Sequence, residues 1–138
     1  MSLQPLKYML LWLLPLIASA DHVHWLGDYN TALQKAHQED KTLLVLVIKK
    51  DSTLSNTIIK NVFMDQTYIK YINRNMVPVI VMYEGRLSYP IEMYYTTIFP
   101  TLFFVDSSKE LFLREPLYGD EIKDDILSTF TNVRYNRE

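Results

Sequence analysis

Three apolar runs, kept apart by segments of helical pattern, constrain the fold of this chain more than any other feature. Thr42–Ile48, residues 76–83 and residues 101–105 are rich in Val, Ile, Leu and Phe. They lack the strict alternation of a strand that is wet on one side. Runs of that length suit strands covered on both faces. Between the first two lie a helix predicted over residues 52–63, with Leu54, Ile58, Val62 and Ile59 inward, and a short one from Asp65 carrying Tyr68, Ile69 and Ile72. Strands joined through helices run parallel by a right-handed crossover. Ahead of them, residues 28–40 read as a helix capped by Asp28, with Ala32, Leu33 and Ala36 beside Trp25 and Leu26.

After the second run, the pattern predicts a short helix near Pro90 carrying Ile91, Met93 and Tyr94. Residues 106–109 form a turn, and residues 110–114 return as a fourth strand, a hairpin signal. A last helix is expected over 120–130, with Ile122, Ile126, Leu127 and Phe130 inward and Asp120, Glu121, Asp124 and Asp125 on a solvated face. A polar tail, 131–138, follows. The expectation is one α/β domain over residues 21–130, a three-layer α/β/α sandwich around a mixed four-stranded sheet.

No cysteine occurs in the 138 residues. Disulfides, cysteine-ligated zinc, iron–sulfur clusters, thiol nucleophiles and a bacterial lipid anchor on cysteine are therefore all excluded. A net charge of −2, with Lys49-Lys50 the only basic pair that stands out, gives no footprint for nucleic acid. At the N-terminus Lys7 precedes an apolar run over residues 8–17, and Ala18-Ser19-Ala20 has the small-residue pattern of a signal-peptidase site. The run is short for a bilayer and Pro15 interrupts it. Residues 1–20 are thus expected to be a signal peptide cleaved after Ala20. The mature chain would be periplasmic or secreted, without a stable membrane span, and with 13 basic and 16 acidic residues.

Four stretches together carry a family resemblance. They are residues 25–41, with Tyr29, Ala32, Ala36 and Glu39-Asp40-Lys41; residues 43–63, a strand, loop and helix running into Val62-Phe63-Met64-Asp65; residues 98–106, Ile98-Phe99-Pro100-Thr101 and the strand after it; and Gly119 before the last helix. In this order and spacing the chain resembles the thioredoxin-like superfamily, particularly its short exported thiol–disulfide branch. The resemblance implies a thioredoxin-like fold and a cis-proline segment at Phe99-Pro100. It also puts Ser52 and Ser55, in Ser52-Thr53-Leu54-Ser55, where the family keeps the two cysteines of its redox motif.

A helix N-terminus lowers a thiol's pKa enough to make thiolate. A serine hydroxyl is far too weak an acid for that, and two hydroxyls form no bridge. Asp51 stands where many members carry tryptophan, and its negative charge would oppose a neighbouring thiolate. Leu46 stands where typical thioredoxins bury a proton-transferring aspartate. Exchanging two cysteines for serines would not account for Leu46 or Asp51. The resemblance therefore implies a redox-inactive member, with Ser52 and Ser55 as degenerate redox positions and no cofactor.

The activity left to such a chain is binding. In the family, the residue before the cis-proline offers its main chain to an extended peptide, a form of β-augmentation. Phe99, Pro100, Leu54, Tyr94 and Tyr95 are then the candidate residues for a peptide or partner protein. The alternatives are a relative of the oxidoreductases acting within a redox system, and a small metal-binding protein using His22 and His24, whose imidazoles suit copper, nickel or zinc. Ser52 as a nucleophile would need a base. The histidines, His22, His24 and His37, all lie in the N-terminal segment, so an N-capping role is expected for Ser52.

Overall fold

The computed structural model describes residues 21–85 and 88–137, apart from the side chains of 131 and 133–137. The predicted signal peptide lies outside the described residues. The order is α1 (Tyr29–Glu39), β1 (Thr42–Ile48), α2 (Thr53–Asn61), α3 (Gln66–Asn75), β2 (Met76–Met82), β3 (Thr101–Asp106), β4 (Leu111–Phe112), β5 (Leu117–Tyr118) and α4 (Glu121–Arg137).

Local chemistry sets the helix starts. Asp28, Ser52 and Asp65 each hold extended backbone and accept an N–H of the first turn, from Thr31, Ser55 and Thr67 respectively. Glu39 ends α1 because Asp40 turns left-handed at φ 52 and closes its N–H onto the Ala36 and His37 carbonyls.

β1 is the centre of the sheet. It pairs parallel with β2, from Thr42↔Met76 to Ile48↔Met82, and antiparallel with β3, from Leu43↔Val105 to Val47↔Thr101. Residues 42–47 are all buried, and they alternate between two cores. Leu44 and Leu46 meet Ile58, Val62, Ile69, Ile72, Ile122, Ile126 and Phe130 of α2, its C-cap, α3 and α4. Leu43, Val45 and Val47 meet Tyr29, Ala32 and Ala36 of α1, with Tyr89 and Tyr94. An unbroken apolar run is what two covered faces require.

Each sheet edge is closed differently. On the β2 side, Leu26 N–H donates to the Pro78 carbonyl and Ile80 N–H to the Leu26 carbonyl, both at 3.0 Å. Pro78, which has no N–H to offer, sits on that outer strand. On the β3 side the predicted fourth strand is split. Only Leu111 and Phe112 pair with Asp106 and Val105, while Leu117 and Tyr118 pair with Leu102 and Thr101 farther along the same edge. Pro116 lies between the two segments and cannot donate to a ladder.

Three further expectations are corrected. The helix near Pro90 is a single turn, in which Met93 and Tyr94 N–H both point at the Pro90 carbonyl. Thr96 then takes the Ile98 N–H on its hydroxyl and draws the chain into a loop. Leu127 is 58% exposed. The buried stripe of α4 runs through Ile122, Ile126, Thr129 and Phe130 instead, because the Thr129 hydroxyl is satisfied by Arg114 and the Asp125 carbonyl. Finally, α4 continues past Phe130 to Arg137, with no Gly or Pro there to stop it. Among the described residues no helix is long and apolar enough to cross a membrane.

Candidate functional site

The predicted site residues gather where the end of β1, the start of α2 and the entry to β3 meet. After Ile48, the loop folds back so that Ser52 N–H reaches the Lys49 carbonyl at 3.2 Å, with Asp51 left-handed at φ 62. Ser52 Oγ then accepts the Ser55 N–H at 3.1 Å. That is a helix cap, and the hydroxyl has no base beside it in this bond. Ser55 is only 1% exposed, and its Oγ has no hydrogen-bond partner among the described residues. The two serines are therefore unlike: one hydroxyl holds a helix start, and the other is buried with no partner among the described residues.

Across from them, the Phe99–Pro100 peptide is cis. Its neighbours are fixed by hydroxyls. Thr96 Oγ1 lies 2.9 Å from Thr101 Oγ1 and accepts the Ile98 N–H at 3.1 Å, while the Ile98 carbonyl accepts from both threonines. The Pro100 carbonyl accepts the Gly119 N–H at 2.8 Å. Between these, the main-chain N–H and C=O of Phe99 have no partner among the described residues. An unpaired main-chain donor and acceptor on one residue is the pairing pattern of a strand edge.

Gly119 closes the floor of the site. It is left-handed at φ +54, and a Cβ there would lie 3.6 Å from both Ile98 Cγ2 and Leu54 Cδ2. Glycine supplies that backbone without strain, and Leu54 and Ile98 flank it.

The sequence candidates divide on exposure. Tyr95 is 68% exposed and available to a partner, and Leu54 is half-buried at the rim. Phe99 is half-buried, with its ring against Tyr83 at 5.1 Å between centroids. Tyr94 is a correction. It is 1% exposed, its hydroxyl sits 2.8 Å from the Tyr29 hydroxyl, and it packs edge-on to Phe103. Burial, aided by the bond to Tyr29, pushes its phenol pKa far above the ordinary range. Tyr94 is a core residue.

Two residues were missed. Ile98 is 48% exposed at the rim, and Lys49 lies with its Nζ 5.8 Å from the ring centroids of both Tyr83 and Phe99. Their adjacency to Phe99 and to Ser52 was visible in the chain, but their orientation was not.

His22 and His24 lie elsewhere. Asn73 of α3 holds their segment by donating to the His22 carbonyl and the Asp21 carboxylate and accepting the His24 N–H. His24 Nε2 is 3.4 Å from Asp21. Among the described residues no three His, Cys, Asp or Glu side chains are grouped to hold a metal. A shallow cavity beside His24 is lined by Lys35, Lys41 and Asn73, and both lysines already face Glu39 at 3.8 and 3.4 Å.

The shape of the chain has clear counterparts among solved structures. A thioredoxin from Thermus thermophilus superposes with a TM-score of 0.69 at 16% identity, over 82% of this chain and 88% of its own. A proposed disulphide-isomerase from Bacteroides thetaiotaomicron gives a TM-score of 0.65 at 28% identity, over 88% of this chain and 98% of its own. The DsbH oxidoreductase gives 0.57 at 19% identity, over 81% of this chain and 87% of its own. No protein-family model and no curated protein matches the chain by sequence. Sheet order, helix placement and these likenesses agree that the chain has the thioredoxin-like fold.

Proposed function

We propose that this chain is an exported, redox-inactive thioredoxin-like protein that binds an extended peptide, or an extended segment of a partner protein, along the main chain of Phe99. The observation that carries the reading is the unpaired N–H and C=O of Phe99, set beside exposed Ile98 and Tyr95. Main-chain hydrogen bonds from such an edge give affinity without regard to sequence, and flanking apolar side chains add contact. The absence of cysteine supports the redox-inactive part, because dithiol exchange requires a thiolate. The export part rests on the signal-peptide pattern of residues 1–20.

The test is fluorescence anisotropy with a labelled degenerate decapeptide pool, comparing the full chain with Ile98→Asp. A charge at that half-exposed rim position should weaken binding at least several-fold. It should move the thermal midpoint by no more than about 3 °C, as surface substitutions do. Binding unchanged in the variant, or a loss matched by unfolding, contradicts the reading. Insulin reduction by the protein should also be absent, and measurable turnover would contradict the redox-inactive part.

A further inference from the structure

Lys49 is the one feature of the site that peptide binding leaves unused. Its ammonium lies 5.8 Å from the centroids of the Tyr83 and Phe99 rings, which themselves meet at 5.1 Å and 62°. Two aromatic rings attract and orient a cation, but they do not neutralise it. No carboxylate lies within ion-pair distance of Lys49 among the described residues. Lys35 and Lys41, by contrast, share Glu39. Glu84, in the loop after Tyr83, accepts the Lys50 N–H on its carboxylate at 3.0 Å. Lys49 is thus an exposed, oriented and unneutralised cation. It rests on the same residue whose main chain is unpaired.

We infer that the segment bound at this edge is acidic, carrying Asp or Glu at the residue opposite Phe99. The inference rests on the peptide-edge reading above. In a paired edge, the residue directly opposite projects its side chain to the same face. The residue facing Phe99 therefore points over the Phe99 ring toward Lys49, and a carboxylate there meets the ammonium. Its two neighbours in sequence point the other way, toward Ile98 and Leu54 beside Gly119. The occupant this geometry fits is an extended segment of the pattern apolar–acidic–apolar.

Two labelled degenerate decapeptide pools test it, identical except for Glu or Gln at one central position between apolar residues. At low ionic strength the full chain should bind the Glu pool about three- to fivefold more tightly, the scale of an exposed ion pair. The preference should shrink in 0.5 M salt, roughly where screening removes exposed pairs. Lys49→Met keeps a stem on the two rings and should bind both pools alike, with its Gln-pool affinity within about twofold of the parent. Lys49→Arg should keep the preference, which separates lost charge from disturbed packing. Equal binding of the two pools by the parent chain overturns the acidic preference and leaves the peptide edge standing. A preference that persists in Lys49→Met overturns the role of Lys49. Binding of neither pool overturns both readings together.

Discussion

Ser52 and Ser55 stand three residues apart, yet their hydroxyls have opposite consequences for stability. Ser52 Oγ accepts the Ser55 N–H and starts α2, so Ser52→Ala should cost about 0.5–2 kcal/mol, as lost caps do. Ser55 Oγ is buried with no partner, and an unsatisfied buried hydroxyl costs about 1–3 kcal/mol. Ser55→Ala should therefore be neutral or stabilising in a urea titration. A loss equal to that of Ser52→Ala would show that Ser55 makes a bond. Asp28 makes a pH-dependent contribution. Its hydrogen bonds from the Thr31 hydroxyl and N–H hold its carboxyl below the ordinary 3.8. A folded pKa below the unfolded one means the contribution is complete above that ordinary value. It is lost as pH falls through the lowered one. Comparing acid unfolding of the parent with Asp28→Asn should show a smaller loss of stability below pH 4 in the variant. Identical acid profiles would contradict the cap.

Among the elements, α4 shows most clearly what holds the layers together. Phe130 stacks on Tyr71 at 4.8 Å and 11° and meets Tyr68 and Phe104 edge-on, while the Tyr71 hydroxyl donates to the Phe130 carbonyl. Phe130→Ala should cost about 3–5 kcal/mol by opening a cavity between α3, α4 and the sheet. Leu127→Ala, at a position 58% exposed, should cost no more than about 0.5 kcal/mol. Equal costs in thermal unfolding would place Leu127 in the core. The elements that were legible in advance are those decided locally. β1 is a continuous buried run, and Asp28, Ser52 and Asp65 are caps whose partners lie within three residues. The split between β4 and β5, the single turn after Pro90 and the outward face of Leu127 were not legible. Each depends on a contact outside the segment itself: the open edge of β3 for the strands, Thr101 for the loop after the turn, and Arg114 for the α4 stripe.

Across the whole molecule, the strand order places the end of β1 and the start of β3 side by side, through Val47↔Thr101. That pairing brings Ser52 and Phe99 to one end of the sheet. The places of Ser52, Ser55 and Phe99-Pro100 could be counted along the chain, the serines just after β1 and the proline just before β3. Tyr94 and Tyr95 were not distinguishable, since adjacent residues in a loop differ only in direction: one turns into the α1 core and the other into water. Lys49 and Ile98 were missed for a related reason, as their roles come from what the fold sets beside them. Under the proposed function, the main chain of Phe99 is the surface that an extended partner meets. Hydrogen exchange, resolved by residue and measured with and without the saturating Glu decapeptide pool, tests it most directly. The Phe99 amide should slow at least about tenfold on binding, while the Gly119 amide, already bonded to the Pro100 carbonyl, stays unchanged. A Phe99 amide that exchanges at the same rate in the bound and unbound protein would contradict it.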